Sequence, residues 1–361
     1  MNKHFFAVIL AGGKGERFWP LSTSRMPKQF LSLIGGKPLL AQAIDRLEGL
    51  IPASHIFVIT NKDLVSMTRK SAPALPARNI IGEPFGRDTA AAIAAGAALV
   101  KHRDPDGVFC VLTADHIMGN IALFRRTLKA CLTRARHEHV LITIGIKPRD
   151  PNTGYGYIEA EPGSRTVGGI RFCRARRFVE KPNLAKARKY FDSGNYHWNS
   201  GMFVWSVSTL ERAFKKYRPV LWNLVQTLAR SAGRAGFDRA LRNGYKPLEK
   251  ISIDFALMEK ADNIVMARGE FRWDDVGSWT AIEDHIPRNA EGNVLVGSCE
   301  SVHAHDNIVL SNDRLTALVG VHDLIVVQAM GVTLICPKDH AQEVKKLVEK
   351  LKASGRYTEV L

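Results

Sequence analysis

The sequence lacks the features that mark several common protein classes. No run of apolar residues approaches the roughly 20 that a membrane-spanning helix needs. The five cysteines are scattered, odd in number and never spaced as Cys-x-x-Cys, which is typical of a reducing compartment. Apolar and charged fractions of 45% and 24% exclude a disordered or fibrous chain. We therefore expect a cytoplasmic globular protein with no membrane partner.

Acidic residues are scarce beside basic ones. The chain has 51 Lys and Arg against 35 Asp and Glu, a net charge of +16. Such a balance favours partners that carry phosphate, either small substrates or nucleic acid. The basic clusters Arg125–Arg136 and Arg171–Arg177 are interpreted as solvated surface, because they lack the interleaved aromatic residues of a single-strand groove. We expect no nucleic-acid partner.

The first half of the chain alternates short apolar runs with segments of helical period. Its 361 residues suggest two domains at about 150 residues each. The alternation predicts an α/β fold with a mostly parallel sheet and helices on both faces, which binds ligands beyond the carboxyl ends of its strands. The predicted strands are Phe5–Leu10, His55–Thr60, Val108–Thr113 and Val140–Ile146, and the predicted helices are Pro38–Leu47 and Thr89–Val100.

The middle and the end of the chain have different patterns. Helical segments are predicted at Leu184–Ser193 and over Ser208–Arg230. Later, apolar triplets at 308–310 and 325–327 are 17 residues apart, and so are those at 317–319 and 334–336. This repeat favours a small β-solenoid, with two ordinary hairpins as the alternative. A final helix is predicted over His340–Ala353.

A glycine-rich loop follows the first predicted strand. It reads Gly12-Gly13-Lys14-Gly15-Glu16-Arg17, and glycines let backbone N–H groups approach a phosphate closely. The loop is neither a P-loop nor a clean dinucleotide fingerprint, and a tight turn is the alternative interpretation. Because Lys28 follows shortly, Lys14, Arg17 and Lys28 together could neutralise a triphosphate.

Two acidic motifs are candidates for metal binding. Asp115 stands at the end of a predicted strand, where a carboxylate can hold Mg²⁺ together with phosphate oxygens or can simply cap a helix. Asp274 and Asp275 lie between two tryptophans, where one of them could be a second ligand or part of a turn. Lys181 stands at a strand end before a helix, and Asn199 offers an amide near Gly201 that suits a sugar hydroxyl, although a purely structural role is the alternative for each.

These motifs, in this order, closely resemble the bacterial mannose-1-phosphate guanylyltransferase family, also called GDP-mannose pyrophosphorylases. The resemblance spans essentially the whole chain and rests on the segments AGGKGERFWPLS, PKQF, GEPFGRDTAAA, TADHI, TGYGYI, FVEKP, WNSGMF and WDDVGSW. It implies a Rossmann-like nucleotidyltransferase domain over 1–285 and a left-handed β-helix-like domain with a terminal helix over 286–361. It also implies the short, monofunctional form and a homodimer.

The resemblance implies a reaction of GTP with mannose 1-phosphate that forms GDP-mannose and pyrophosphate. By similarity, the catalytic residues are Arg17, Lys28, Asp115, Lys181 and Asp275. Asp115 and Asp275 would share one Mg²⁺. Asp275 is preferred to Asp274 because it directly precedes Val-Gly, where the metal-binding Asp of the family usually stands. The nucleotide would contact Leu10, Ala11, Gly12, Gly13, Gly15, Arg17, Lys28, Glu83, Asp88 and Asp115, and the sugar phosphate would contact Gly156, Glu180, Lys181 and Asn199.

The segment Gly82–Thr89 resembles the loop that reads the base in this family. Glu83 is the candidate reader, since a carboxylate can accept from guanine N1–H and N2–H₂ together, whereas Asp88 could instead cap the following helix. Thr113, Asp88 and Ala91 depart from the residues common in the family. The alternatives are a related enzyme for another base or sugar, or a non-catalytic relative.

Overall fold

The computed structural model describes residues 2–361, apart from the side chain of Asp313. Contacts between Cα atoms divide the chain into two compact units. The first unit comprises Met1–Gly12, Ala43–Ala114 and Met118–Trp273. The second unit comprises Gly13–Gln42, Asp115–Ile117 and Asp274–Leu361.

The first unit is built on a ten-stranded sheet. Its strands are β1 (Phe5–Ala11), β2 (Ile56–Asn61), β3 (Ile80–Glu83), β4 (Val108–Thr113), β6 (Leu141–Ile146), β7 (Tyr157–Ala160), β8 (Arg165–Val167), β9 (Ile170–Val179), β10 (Tyr196–Ser206) and β11 (Ile264–Gly269). The spatial order is β3-β2-β1-β4-β10-β6-β11-β9-β7, with β8 paired to β9. A short ribbon joins β5 (Ile117–Met118) to β12 (Trp273–Asp274).

Nine α-helices lie within the described residues. They are α1 (Leu39–Asp45), α2 (Val65–Ser71), α3 (Asp88–Arg103), α4 (Ile121–His137), α5 (Leu184–Ser193), α6 (Val207–Tyr217), α7 (Pro219–Ser231), α8 (Phe237–Tyr245) and α9 (Val344–Ser354). The predicted helical region over Ser208–Arg230 is two helices, because Pro219 cannot continue α6 and instead begins α7.

The predicted α/β class is confirmed, and the sheet is mixed. Strands β3, β2, β1 and β4 are parallel, as their alternation with helices requires. Strand β10 is antiparallel to both of its main neighbours, and β7, β8 and β9 pair through antiparallel connections. Parallel pairing is therefore limited to β3-β2-β1-β4 and to the β6–β11 pair. No helix separates β7, β8 and β9 in the chain, so these strands pair as antiparallel neighbours.

The second unit contains a four-stranded sheet. Its strands are β13 (Val294–Val302), β14 (Ile308–Val319), β15 (Leu324–Ala329) and β16 (Val332–Pro337). The first three are parallel, and Ile308 pairs with Ile325. Both side chains are fully buried in a core that also includes Trp279 and, from α9, Val344 and Val348. The solenoid-like stacking predicted from the 17-residue spacing is thus confirmed for this pair of triplets.

The second predicted triplet pair does not stack. The triplet at 334–336 turns back and pairs antiparallel with 325–327, whereas 317–319 pairs with 300–302 of β13. The cause is the two-residue connection Met330-Gly331, whose φ values of 53° and 75° are those of a tight hairpin turn. The sheet therefore ends in a hairpin rather than in a further parallel turn.

Candidate active site

The glycine-rich loop continues from β1 into a short 3₁₀ turn at Glu16–Phe18. Gly15 has a φ of 64°, and a Cβ atom there would lie 2.4 Å from Cβ of Lys28. Only glycine meets both conditions without strain. The loop is further held by Ser22, whose hydroxyl donates to the carbonyl of Lys14 at 2.8 Å. The close approach of backbone to Lys28 thus explains the third glycine of the motif.

Lys28 is a buried cation at the centre of the phosphate-side group, by which we mean the four predicted residues Arg17, Lys28, Asp115 and Asp275. Its side chain is 6% exposed, and its Nζ lies 3.1 Å from Oδ2 of Asp115. The same Nζ donates to the backbone carbonyl of Asp275. Its ammonium also lies 5.7 Å from the centre of the Phe18 ring. One ammonium therefore joins the two segments that carry the predicted metal ligands.

Asp115 is kept ionised by its neighbours. Burial alone would raise its pKa, but the Lys28 ammonium and His116 outweigh burial and hold the pKa of Asp115 below its usual value. The His116 Nε2 is 3.9 Å from Oδ1 of Asp115. A carboxylate that remains charged next to a cation is suited to bind metal or to organise phosphate.

Asp274 and Asp275 have different surroundings. Asp274 is buried; its Oδ1 accepts from the backbone N–H of Val276 at 2.7 Å, and its Oδ2 lies 3.1 Å from Nε2 of His285. A Cβ atom on Gly277 would lie 3.1 Å from Oδ1 of Asp275 and 3.4 Å from Nη1 of Arg17. Asp275 and Arg17 therefore flank the same glycine, whereas Asp274 organises the turn.

Arg17 receives support from the C-terminal part of the chain. Its Nη1 donates to Oε1 of Gln342 at 3.0 Å. The adjacent Glu16 accepts a hydrogen bond from Lys352 of α9, and this cation lowers the pKa of Glu16. Sequence reasoning missed Gln342, and no local signal marked it.

Glu83 ends β3, and its carboxyl faces the start of the glycine loop. A Cβ atom on Gly12 would lie 3.8 Å from Oε2 of Glu83. Burial raises the pKa of Glu83 to about 7 and nearby Asp88 adds to the rise, whereas a hydrogen bond from the buried Tyr245 opposes it. A buried carboxyl group that can accept hydrogen bonds is suited to a ligand that donates N–H groups.

Asp88 lies at the start of the helix that the sequence suggested it could cap. It is the first residue of α3, has a φ of 66°, and accepts from the N–H of Thr89 through Oδ1 at 2.7 Å. Its carboxylate therefore satisfies a free N–H group at the helix start. A contact of Asp88 with nucleotide stays a prediction.

The residues predicted to bind the sugar phosphate form one group in the first unit, the sugar-side group, which consists of Gly156, Glu180, Lys181 and Asn199. The backbone N–H of Asn199 donates to the carbonyl of Gly156 at 2.8 Å. A Cβ atom on Gly156 would lie 2.5 Å from Oε2 of Glu180, so this carboxylate lies directly against the glycine. Lys181 has a φ of 43° and donates to Oε1 of Glu180 at 2.8 Å.

Asp254 belongs to the same group and was missed by sequence reasoning. Its Oδ1 accepts from Nδ2 of Asn199 at 2.7 Å. Burial raises the pKa of Asp254 to about 6, and Glu180 adds to the rise although the hydrogen bond from Asn199 opposes it. A carboxylate inside the apolar segment Ile251–Met258 was the available sequence signal.

The structure thus brings the predicted residues together in two groups. Arg17, Lys28, Asp115 and Asp275 lie in the second unit, and Gly156, Glu180, Lys181 and Asn199 lie in the first unit. Leu10 and Ala11 end β1 and Gly12 follows them, all three in the first unit, whereas Gly13 and Gly15 lie in the second unit. The functional roles of all these residues stay predictions.

Neither a ready-made metal cluster nor a membrane-spanning helix is found in the described part of the chain. Over residues 2–361, no group of three or more His, Cys, Asp and Glu side chains is arranged to hold a metal ion. In the same range, no helix has the length and apolar character that crossing a membrane requires.

The chain resembles known proteins along most of its length. A model of the nucleotidyl transferase family matches residues 6–291, and a model of the MannoseP isomerase/GMP-like beta-helix domain matches residues 298–351. The predicted boundary after residue 285 stays a prediction. The mannose-1-phosphate guanylyltransferase of Escherichia coli K12 is 36% identical over 98% of this chain and 74% of its own length.

Two further relatives also match nearly the whole chain. The mannose-1-phosphate guanylyltransferase ManC of Salmonella typhimurium is 37% identical over 98% of this chain and 74% of its own length. A crystal structure described as a mannose-1-phosphate geranyltransferase from Thermus thermophilus is 32% identical, with a TM-score of 0.86 over 97% of this chain and 99% of that chain. The chain therefore belongs to the nucleotidyl transferase family, in the group of the mannose-1-phosphate guanylyltransferases.

Proposed function

We propose that the protein transfers GMP from GTP to mannose 1-phosphate, forming GDP-mannose and pyrophosphate. A phosphate oxygen of the sugar attacks the α-phosphorus of GTP, and the bond to the β-phosphate oxygen breaks. The electron pair of that bond leaves with pyrophosphate, and no covalent enzyme intermediate forms because the sugar phosphate itself is the nucleophile. The protein contributes positioning and charge stabilisation rather than a nucleophile.

The observation that carries the proposal is the group around the Lys28 ammonium. Asp115 contacts this ammonium through Oδ2, Asp275 through its carbonyl oxygen, and Arg17 flanks Gly277 together with Asp275. Cations near ionised carboxylates are the arrangement that phosphoryl transfer uses to bind phosphates and a metal ion. In the proposed reaction, Lys28 offsets charge that develops on the phosphates, and Arg17 holds the departing pyrophosphate.

The donor set fits one Mg²⁺ ion. Mg²⁺ is commonly held by one or two protein carboxylates together with substrate phosphates, so the two acids Asp115 and Asp275 are sufficient without a larger protein cluster. The low pKa of Asp115 keeps one of these ligands ionised at neutral pH. When bound, the ion would neutralise phosphate charge and polarise the attacked phosphorus.

The remaining residues select the two substrates. Gly12, Gly13 and Gly15 offer backbone N–H groups to the nucleotide phosphates, and Glu83 accepts from guanine. Lys181 pairs with the phosphate of the sugar. Mannose hydroxyls bind to Glu180, Asn199 and the backbone of Gly156, for which the contacts among these three residues provide support.

A pyrophosphate-release assay over a grid of nucleoside triphosphates and hexose 1-phosphates, with and without Mg²⁺, tests the proposal. We expect the highest kcat/KM for GTP with mannose 1-phosphate and no turnover after chelation. Preference for another base or sugar would show that the chain is a related nucleotidyltransferase. No turnover with any pair would favour a non-catalytic relative. The predicted homodimer would be tested separately by the sedimentation mass.

A further inference from the structure

Asp254 opens a segment of unusual helical geometry beside the proposed sugar residues. Asp254–Met258 forms a π-helix, a rare geometry that is frequent at functional sites. Ala256, Leu257 and Met258 of this segment are buried, whereas Asp254 directs its carboxylate to Asn199 on β10. The apolar residues fix the segment in the core, and its polar first residue reaches the proposed sugar group.

The amide of Asn199 is held at both ends. Its Nδ2 donates to Oδ1 of Asp254 at 2.7 Å, and its Oδ1 accepts from the backbone N–H of Gly201 at 3.2 Å. These two contacts determine which end of the amide carries nitrogen and which carries oxygen. A primary amide has two N–H donors and two acceptor lone pairs, so one donor and one lone pair remain for a ligand.

The local charges favour a neutral ligand rich in hydroxyl groups. Asp254 and Glu180 are close enough for the Glu180 charge to raise the pKa of Asp254. Lys181 donates to Glu180, so this cation partly offsets the pair. Carboxylates and an oriented amide offer acceptors and one donor, which matches the hydroxyls of a hexose ring better than an additional phosphate.

We propose that Asp254 is a positioning residue for the sugar substrate: it fixes the Asn199 amide so that one N–H and one carbonyl lone pair meet hexose hydroxyls. This inference rests on the proposed function, because it assumes that Asn199 contacts the sugar. It adds a residue from another part of the chain, 55 positions beyond Asn199, to the determinants of sugar selectivity.

The test compares two substitutions at Asp254. In Asp254→Ala the amide loses its acceptor, and we expect KM for mannose 1-phosphate to rise by about tenfold, the effect of losing a hydrogen bond to a charged group. The KM for GTP should stay unchanged. Asp254→Asn keeps an oxygen that can accept from Asn199, so it should restore most of the lost affinity. Equal losses in both variants, or no loss in Asp254→Ala, would overturn the proposal.

A swap variant separates positioning from folding. Asp254→Asn combined with Asn199→Asp keeps a hydrogen bond between the two positions but presents no amide to the sugar. We expect it to unfold at the wild-type temperature and to show the high mannose 1-phosphate KM of Asp254→Ala. Wild-type KM in the swap variant would contradict the proposal. This variant decides the question even if Asp254→Ala does not fold.

Glu259→Gln is the matched control. This carboxyl lies just beyond the same π-helix and is also influenced by Glu180, but no hydrogen bond joins it to Asn199 in the described residues. We expect its KM values to match those of the wild type. If wild-type protein turned over no substrate pair, the proposed function would fail; if it were active while Asp254→Ala kept normal KM values, only this inference would fail.

Discussion

The two groups of polar residues differ in how their charges are arranged. In the phosphate-side group of the second unit, Asp115 lies beside Lys28, and its pKa is lowered. In the sugar-side group of the first unit, burial and the like charge of Glu180 raise the pKa of Asp254 to about 6. The same residue type is thus kept ionised in one group and shifted toward neutrality in the other. Opposite charges suit phosphates and a cation, whereas carboxylates with an oriented amide suit neutral hydroxyls.

The largest effect is expected from substitutions at the neighbouring residues Asp275 and Asp274, which together test the phosphate-side group. Asp275→Asn removes a proposed metal carboxylate, so we expect kcat to fall by about a thousandfold, the upper range for losing one preorganised charged group. The backbone carbonyl that binds Lys28 is retained, so the folded structure should persist. Pyrophosphate release and thermal unfolding would be measured on the same preparation.

Asp274→Asn is the counterpart, for which we expect a loss of stability and little change in kcat. It disturbs the buried contact with His285, and we expect the free energy of unfolding to drop by about 2 kcal/mol, as for a damaged buried hydrogen bond. Turnover of the folded fraction should change far less than in Asp275→Asn. If Asp274→Asn were the variant with the larger loss of kcat, the assignment of the metal ligand would be reversed.

A smaller effect is expected at Glu83, whose pKa burial raises to about 7. Glu83→Gln removes the charge that accepts from guanine, so the ratio of kcat/KM for GTP over ATP should fall by about tenfold, since a hydrogen bond to a charged group is lost. In the wild type this ratio should rise between pH 6 and pH 8 as Glu83 ionises. An equal GTP preference in wild type and variant at every pH would move base recognition to another residue.

The same substitution has a predicted effect on stability. The pKa of Glu83 is raised from 4.5 to about 7, so the folded state binds more protons than the unfolded state between these values. The wild type therefore loses stability as pH rises through this range. Glu83→Gln removes that loss, so thermal unfolding should show the variant to be more stable at pH 8, with the advantage disappearing toward pH 4.5. A pH-independent difference would contradict the raised pKa.

The sequence predicted the elements that depend on local pattern. Strand β4 and helix α5 have the predicted bounds, and the glycine loop follows β1 as expected. The hairpin at Met330-Gly331 belongs to the alternative that the spacing left open, because a 17-residue repeat is compatible with either direction of the last strand. The spacing of apolar residues determines which side chains are buried but not how the chain reverses.

The site residues that sequence reasoning missed are those joined by long-range contacts. Asn199 and Asp254 are 55 residues apart, and Arg17 and Gln342 are 325 residues apart. A motif is a short continuous segment, so a partner residue that lies outside every motif carries no signal in the sequence. The predicted choice of Asp275 over Asp274 rested on the family motif alone, and the structure supplies a physical difference between the two environments.

The smallest expected effect is at Gln342, which extends the phosphate-side group to the C-terminal part of the chain. Its side chain accepts from Nη1 of Arg17 at 3.0 Å in an exposed position, so Gln342→Ala should weaken pyrophosphate binding only about threefold, as for a single exposed hydrogen bond. In the reverse reaction, KM for pyrophosphate should rise while KM for GDP-mannose stays constant, because Arg17 is proposed to contact only the leaving group. Lys346→Ala is the control: this exposed lysine pairs with Glu343, next to Gln342, and forms no hydrogen bond with Gln342 or Arg17 among the described residues. An equal rise in both KM values would mean that Gln342 stabilises the whole unit rather than Arg17 alone.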